Sequence, residues 1–240
     1  IFKIFLYYFD RLKYFFVKNM IDVILYSGEN VNDIFGVKNL LKINHYVNLD
    51  RLPLKSNLIN QSSLNFISVS SLNEYHGIDR IIKGVLNYKK KFKKIDFNVF
   101  IVGDNIISFN KYNSLINKYK LENHIKMLGF KEGDDLNYLY DSAQVAIGTL
   151  GLYKLNLNTV SSMKSAEYAA RGIPFVIGYN DNDFDNCNFT FKVSNDETAL
   201  DFHKILNWYS ELNDLNPINI RNYILKKPNW ESSMSKLLIK

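Results

Sequence analysis

The sequence is poor in cysteine and histidine, which excludes two common kinds of stabilising site. Cys187 is the single cysteine, so an internal disulfide is excluded and a reducing, cytoplasmic compartment is favoured. The four histidines lie far apart and show none of the spacings of zinc ligands. We therefore expect no metal and a fold held by an apolar core, for which the 47% hydrophobic content is ample.

Long uncharged apolar runs are also missing, even from the apolar N-terminus IFKIFLYYFDRLKYFFVKNM. Lys3, Asp10 and Arg11 interrupt it, so it falls short of the roughly 18 apolar residues of a transmembrane helix. No small-residue cleavage site of a signal peptide follows it. The pattern predicts an amphipathic helix that either packs on other protein or lies on a membrane surface. Its apolar face would carry Phe5, Tyr8, Phe9, Leu12, Phe15 and Phe16.

Soluble monomers rarely leave such a face exposed, so we expect it to pack on the rest of the chain, on a second copy or on a partner chain. We predict that residues 1–48 are part of an incomplete N-terminal domain, with short strands at Asp22–Ser27 and Ile43–Val47. Residues 49–64, which include Pro53, have the polar composition of a linker. The location that follows is cytoplasmic, either free or peripheral at the inner membrane face.

The net charge of +6 is spread along the chain rather than gathered into a patch. A charge of this sign suits nucleic acid or an anionic membrane in principle. The one short lysine cluster, Lys89–Lys94, falls at the end of a predicted helix, where cations favour the helix dipole. The sequence therefore does not favour a nucleic-acid partner.

The most informative stretch is QVAIGTLGLYKLNLNTVSSMKSAEYAARGIPFVIG, residues 144–178. Its apolar run Val145–Ile147 ends at Gly148, as in a buried parallel strand. A long loop to Asn158 follows, and long ordered loops are usually functional. Asn158, Thr159 and Ser161 are candidate N-caps for a helix over about 160–171, which Gly172 and Pro174 would end. A second buried strand would then run to Ile177.

From residue 65 to 212, strand patterns alternate with helix patterns, which predicts βαβ units with right-handed crossovers. The fold class is therefore α/β, with a Rossmann-like parallel sheet that spans about Phe66–Val193 and carries helices on both faces. Residues 213–240 should form two helices, the second starting at Trp230. The other predicted strands are Phe66–Val69, Phe97–Val102, Ile125–Leu128 and Phe189–Val193. The other predicted helices are Ile78–Phe92, Asn110–Tyr119, Asp134–Ser142 and Glu197–Leu212, with approximate ends.

Several segments in this order resemble the C-terminal, donor-binding domain of GT-B glycosyltransferases of the retaining group called family four or group 1. They are NFISVSSLNEYHGIDRII, FNVFIVGDN, HIKMLGFKEGDDLNYLYDSAQVAIGTLGL and KSAEYAARGIPFVIG, and the resemblance covers about Asn65–Leu212. DVILYSGENVNDIFG and KINHYVNLDRL are similar to the end of the family's N-terminal domain and its hinge. The tail NWESSMSKLLIK is similar to the helix that crosses back to that domain. The HG-x-DR variant at His76–Arg80 is similar to a bacterial subset linked to surface polysaccharide synthesis.

The resemblance implies transfer of a sugar from a nucleotide diphosphate sugar to an acceptor hydroxyl, with retention at the anomeric carbon. It implies no cofactor and usually no metal. The acceptor would be a saccharide or a lipid-linked saccharide. Since the reaction must stabilise a leaving diphosphate, helix N-termini and cationic side chains should carry most of the chemistry. A catalytically silent nucleotide-sugar-binding or scaffold subunit and an unrelated flavodoxin-like binding module are the alternatives.

The resemblance also implies site residues. Glu167 matches the second Glu of the family's Glu-x7-Glu pair and would bind the ribose hydroxyls, while Thr159 stands where the first Glu is expected. Ser71 and His76 stand where the family has an Arg and a Lys for the diphosphate. Cationic or polar side chains that would compensate are His76, Arg80, Lys154 and Lys164. The loop at Phe130 and Lys131 would read the base.

The residues also have simpler explanations. Glu167 and Arg171 have the i, i+4 spacing of a surface ion pair. His76 before Gly77 fits a helix cap, Arg80 could pair with Asp79 or Glu74, and Lys154 could be solvated. From the residue pattern we predict that the donor nucleotide binds where Gly148–Gly151, the helix N-terminus near residue 160, Lys164 and Glu167 converge. A catalytic residue is not identified.

Overall fold

The computed structural model describes residues 8–9, 12–13, 16, 18–26, 31–34, 36–43, 47–56, 63–212, 216–227 and 234–235. The strands are β1 Ile24–Tyr26, β2 Leu40–Lys42, β3 Leu64–Val69, β4 Phe97–Val102, β5 Ile125–Met127, β6 Val145–Ile147, β7 Phe175–Ile177 and β8 Thr190–Lys192. The α-helices are α1 Ile78–Phe92, α2 Ile106–Lys118, α3 Gly133–Ser142, α4 Met163–Arg171, α5 Phe202–Glu211 and α6 Pro217–Leu225.

Six of these strands form one parallel sheet in the order β5-β4-β3-β6-β7-β8. The chain therefore builds outwards from β3 in one direction and then returns to build outwards from β6 in the other. In open α/β sheets, the point where the strand order reverses is where ligands bind, at the carboxyl ends of the strands. Here that point lies between β3 and β6.

Both faces of the sheet are covered, as the continuous apolar strands predict. Phe66 and Ile67 are consecutive in β3, both fully buried, and belong to two different core clusters because side chains alternate across a strand. The cluster around Phe66 contains residues of α1, α2 and α5, and the cluster around Ile67 contains residues of α3, α4 and α6. Each buried aliphatic or aromatic side chain contributes about 1.5–3 kcal/mol. The predicted α/β class, with helices on both faces, is confirmed.

The start of α4 differs from the prediction. The helix begins at Met163, and its N-cap is Ser162, whose side chain accepts a hydrogen bond from the Lys164 amide. The expected caps at 158, 159 and 161 lie in a preceding segment that pairs with the loop after β7, where the Val160 amide donates to the Asn180 carbonyl. Because that pairing holds the chain extended through residue 160, the helix begins later than predicted, at Met163. Gly172 ends α4 as predicted.

Two other boundaries also shift. Asn105 caps α2 through the Ser108 amide, so that helix starts at residue 106, before the predicted start. Asp201 caps α5 through the Lys204 amide, so that helix starts later than predicted, after turns held by Asp196. Most of the short strand expected at 43–47 lies outside the described residues, and the strand that pairs in parallel with β1 is β2.

The linker packs on the main sheet domain at two places. Ser56 donates to the Asp141 carboxylate at the end of α3 through both its amide and its hydroxyl. Arg221 of α6 donates to the carbonyls of Leu49 and Leu52. α6 thus ties the linker to the domain, whereas most of the tail predicted to cross back to the N-terminal segment lies outside the described residues. The division of the chain into domains stays a prediction.

Most of the predicted N-terminal helix lies outside the described residues, as does most of the helix predicted from Trp230. Residues 8, 9, 12, 13 and 16 are helical, and the apolar side chains among them are between 43% and 70% exposed. Among the helices that the structure describes, none combines the length and the apolar character needed to cross a membrane.

Candidate functional site

The loops that follow β3 and β6 lie side by side at the switch point of the sheet. The Gly151 amide donates to the Tyr75 carbonyl at 2.9 Å, and the Leu150 amide donates to the His76 carbonyl at 3.2 Å. These bonds join two loops that are far apart in sequence into one wall. α1 and α4, whose N-termini carry partial positive charge, both begin at this edge.

Two of the predicted glycines permit this close approach. Gly77 has φ of +73°, and a Cβ on it would lie 2.7 Å from Cβ of Leu150. A Cβ on Gly151 would lie 3.0 Å from the Tyr75 carbonyl oxygen. A side chain at either position would therefore push the loops apart. Gly148 lies at the end of β6, where its amide donates to the Val176 carbonyl and continues the sheet.

His76 and Lys164 meet at the carboxyl edge of the sheet, between the β3 loop, the β6 loop and the start of α4. We call this region the crevice. Lys164 Nζ lies 3.0 Å from Nδ1 of His76, and Nε2 of the same ring lies 3.2 Å from Ser71 Oγ. Burial and the neighbouring Lys164 charge lower the pKa of His76 to about 3, so the imidazole is neutral at physiological pH. Its Nδ1 can then accept from the lysine, while Nε2 donates to Ser71. His76 is thus a polar contact in the crevice and not a surface cap.

Lys164 brings a cation to the first turn of α4. Burial lowers its pKa to about 7, and the nearby Glu167 carboxylate opposes that shift. An amine with such a pKa gains most from an anionic ligand, because the ligand replaces the solvation that burial removed. The position suits a phosphate group, since the helix dipole and the ammonium act on the same point.

Glu167 lies one turn further along α4, and its side chain is 29% exposed. Its Oε1 accepts from Nε of Arg171 at 3.0 Å, so the surface ion pair suggested by the i, i+4 spacing is present. The partner is not a surface residue, however, because the Arg171 side chain is only 6% exposed. The same guanidinium donates to Asn137 of α3 and lies over the ring of Tyr140.

Arg80 and Lys154 are directed to the loops and not to the crevice. Arg80 is buried, and its guanidinium donates to the carbonyls of Leu150 and Thr198. Its acidic neighbour is Asp196, at 3.9 Å, so pairing with Asp79 or Glu74 is not what the structure shows. Arg80 therefore stabilises the β6 loop through its bond to the Leu150 carbonyl.

Lys154 is bound as well, which corrects its interpretation as a solvated side chain. Its Nζ donates to the Glu74 carbonyl at 3.0 Å and to the Asp79 carboxylate at 3.4 Å. These contacts join the β6 loop to the start of α1. A phosphate contact from Lys154 would require both bonds to be given up.

The remaining predicted residues lie at the same edge of the sheet but outside this cluster. Thr159 pairs with Asn180 in a short parallel bridge, beside the loop after β7. Phe130 and Lys131 follow β5, two strands from β3, and the Phe130 side chain is 59% exposed. The amide of Gly103 donates to the Gly129 carbonyl and connects the β5 loop to the loop after β4.

Sequence reasoning missed the side chains that surround Glu167 and a buried acid nearby. Asn137 and Tyr140 reach Arg171 only because α3 packs beside α4, and no local pattern announces such a contact. Asp181, in the loop after β7, is fully buried, and burial raises the pKa of its carboxyl to about 6. The alternating acids of the segment DNDFD after a buried strand were a signal that could have drawn attention to it.

His, Cys, Asp and Glu side chains form no group of three or more that could hold a metal ion within the described part of the chain. The anion-binding features of the crevice are instead the α4 N-terminus and Lys164.

Residues 53–179, more than half of the chain, match the family model described as "Glycosyl transferases group 1". Every predicted site residue, from His76 to Glu167, falls within that segment. Among curated protein sequences, none matches this chain.

Solved structures with the same fold include a glycosyltransferase from Rickettsia africae, at 19% identity and a TM-score of 0.67. The Anabaena protein HepE in complex with UDP and glucose matches at 13% identity and a TM-score of 0.64. The pneumococcal O-GlcNAc transferase GtfA in complex with UDP and GlcNAc matches at 12% and 0.64. The matches cover 85%, 85% and 94% of this chain but 56%, 58% and 46% of those proteins. The chain thus spans about half the length of these structures.

Proposed function

Because this chain belongs to the group 1 glycosyl transferases, we propose that it binds a nucleotide diphosphate sugar in the crevice between the β3 and β6 loops. The observation that carries the proposal is the contact of His76 with Lys164 in the first turn of α4, about one turn before Glu167, at the switch point of the sheet. His76 follows β3, and the other two residues belong to α4, which follows the β6 loop. UDP is the nucleotide we propose first, because two relatives of the same fold are in complex with it.

In this proposal, the diphosphate lies at the N-terminus of α4. The helix dipole and the Lys164 ammonium stabilise the charge that develops on the leaving diphosphate as the glycosidic bond to it breaks. His76 keeps Lys164 directed into the crevice without competing for the anion, because its imidazole is neutral. Glu167 accepts from the ribose hydroxyls one turn further along the helix, and the exposed ring of Phe130 offers a stacking surface for the base.

The sugar passes to an acceptor hydroxyl with retention at the anomeric carbon, and the acceptor is a saccharide or a lipid-linked saccharide of a bacterial surface polysaccharide. The retention and the acceptor class rest on the resemblance to the family as a whole, and the role in surface polysaccharide rests on the HG-x-DR variant at His76–Arg80. We propose a cytoplasmic location, with peripheral contact to the inner membrane face where the acceptor is lipid-linked. The chain acts with the remainder of a two-domain enzyme, as part of the same chain or as a partner.

Isothermal titration with UDP and GDP tests binding, and incubation with UDP-glucose or UDP-GlcNAc and a saccharide acceptor tests transfer. We expect UDP to bind in the micromolar to millimolar range, with an α-linked product by proton NMR from an α-linked donor. A chain that binds neither nucleotide would overturn the proposal.

A silent nucleotide-sugar-binding subunit is the second candidate, and one observation favours it. Thr159 stands where the family has a carboxylate, and its backbone pairs with Asn180. UDP binding without transfer or donor hydrolysis, in the presence of the proposed remainder of the two-domain enzyme, would select this alternative.

A further inference from the structure

The Arg171 guanidinium contacts side chains of two helices, Glu167 on its own helix α4 and Asn137 on α3. Its Nε donates to Oε1 of Glu167 and one terminal nitrogen donates to Oδ1 of Asn137, both at 3.0 Å. The guanidinium also lies 4.2 Å from the centre of the Tyr140 ring. A planar guanidinium that is hydrogen-bonded at its edge and covered by a ring on one face has one preferred orientation.

Tyr140 adds to the same arrangement. Burial, and after it the neighbouring Tyr168 and Glu167, raise the pKa of Tyr140 well above its usual value. The hydroxyl is therefore protonated and can only favour an ionised carboxylate beside it. The Glu167 carboxylate thus meets a cation and a phenol on its protein side, while 29% of the side chain remains accessible.

The backbone at the end of α4 is fixed independently of these side chains. The Lys55 amide of the linker donates to the Arg171 carbonyl at 2.8 Å, and Arg221 of α6 donates to the Ala170 carbonyl at 3.2 Å. Arg171 therefore stands on a rigid support. Without its side chain, Glu167 would lose the partner that selects its rotamer, and a free glutamate samples several rotamers of similar energy.

We propose that Arg171 is a positioning residue for ribose recognition: it binds one oxygen of Glu167 so that the other faces the crevice and accepts from the ribose hydroxyls. The inference rests on the proposed function, since it names how the same site distinguishes a ribonucleotide. Arg171 itself makes no contact with the nucleotide in this arrangement. Its effect should appear only when the ligand carries the hydroxyls that Glu167 binds.

The test compares the affinities of UDP and 2′,3′-dideoxy-UDP for wild type and Arg171→Met by isothermal titration. In wild type we expect UDP to bind roughly 10- to 150-fold more tightly, the ratio that corresponds to hydrogen bonds to a charged group. In Arg171→Met, the ratio should fall to about 1–2 while the affinity for the dideoxy ligand stays unchanged, because only the ribose contacts are lost. Combining Arg171→Met with Glu167→Gln should lower the ratio no further than Glu167→Gln alone.

Arg221→Met is the matched control, because it also removes a guanidinium bonded to the end of α4 but does not touch Glu167. It should lower the melting temperature and keep the wild-type ratio. Arg171→Lys, which keeps the charge and the aliphatic stem, replaces Arg171→Met if the latter does not fold, and it should give an intermediate ratio.

A wild-type ratio retained in Arg171→Met, or equal losses for both ligands, would overturn the positioning role while leaving the proposed function intact. Failure of wild type to bind either nucleotide would overturn both.

Discussion

Lys164 and His76 are 88 residues apart in sequence, yet Nζ of the lysine lies 3.0 Å from Nδ1 of the histidine. The contact crosses the switch point, because His76 follows β3 and Lys164 begins the helix after β6. A neutral acceptor holds the amine in the crevice without neutralising it. The cation is therefore already placed where we propose that the diphosphate binds.

Donor binding should weaken as the pH rises through 7. The pKa of Lys164 is lowered to about 7 by burial, so the amine loses its proton between pH 6 and 8. The groups that face it are the Glu167 carboxylate and the imidazole of His76, whose pKa of about 3 keeps it neutral across this window. If the diphosphate needs the ammonium, affinity should fall about tenfold between pH 6 and 8, as a pKa near 7 requires.

UDP-glucose is the ligand for this measurement, since its diphosphate diester does not ionise between pH 6 and 8. Lys164→Arg is the matched control, because a guanidinium stays protonated throughout. The affinity of that variant should be flat over the same range. A pH profile shared by both proteins would assign the titration to another group.

Replacing Glu167 by Ala should weaken UDP binding by roughly 1.5–3 kcal/mol, the range for hydrogen bonds to a charged group. An exposed Glu167 could be replaced with little change in the free energy of unfolding, but the structure predicts a loss of stability as well. The buried Arg171 would lose its carboxylate partner, so unfolding should become easier by about 1–3 kcal/mol. Titration and thermal melts on the same samples measure both. Unchanged UDP affinity in a destabilised variant would leave Glu167 with only its ion pair.

Asp181 should make the protein less stable at neutral pH than at mildly acidic pH. Burial raises the pKa of its carboxyl to about 6, against about 3.9 for an unfolded aspartate. Its contribution to stability is full below the unfolded pKa and is lost as the pH rises through the folded pKa. A shift of about two units corresponds to about 2–3 kcal/mol. Asp181→Asn should therefore be more stable than wild type at pH 8 and similar at pH 4.

Urea unfolding at pH 4, 6 and 8 measures this difference. The Asp183 amide donates to Oδ1 of Asp181, and an asparagine oxygen can still accept that bond. Stability curves of wild type and variant that run parallel with pH would show that Asp181 does not titrate between folded and unfolded states.

Gly77→Ala should destabilise the fold by about 2–4 kcal/mol through a left-handed backbone and a contact of 2.7 Å with Leu150. Because that contact joins the β3 and β6 loops, UDP affinity should fall as well. Gly36→Ala is the matched control: it has φ of +83° but nothing within 4 Å of the added Cβ and lies outside the proposed site, so only backbone strain of about 1–2 kcal/mol should appear. Thermal melts and UDP titration compare the two variants. Equal changes in melting temperature and in UDP affinity would show that the contact between the β3 and β6 loops contributes to neither.

Elements whose signal is local were predictable from the sequence. α1 at Ile78–Phe92 and β4 at Phe97–Val102 have the bounds that the sequence predicted. A strand buried on both faces must be a continuous apolar run, and glycine at its end is easy to recognise. The alternation of such strands with helices then permits few topologies, of which the parallel doubly wound sheet is the usual one.

The start of α4 was not determined by local sequence. Four neighbouring residues, 158, 159, 161 and 162, can each cap a helix, and their intrinsic preferences differ by little. The bonds of residues 158 and 160 with Asn180 hold the backbone that follows 158 and 159 extended, so the helix cannot start there. Asn180 belongs to a later loop, so the choice depended on a contact that only the folded chain contains.

The sequence by itself determined which residue types would line the carboxyl edge of the sheet, because parallel strands deliver their loops to one edge whatever their order. The tertiary structure decided what each cation does there. Arg80 and Lys154 satisfy backbone carbonyls and an acid within the loops, since a buried guanidinium or carbonyl without a partner costs more than a solvated one. Lys164 faces a neutral imidazole instead, and so its charge remains for a ligand.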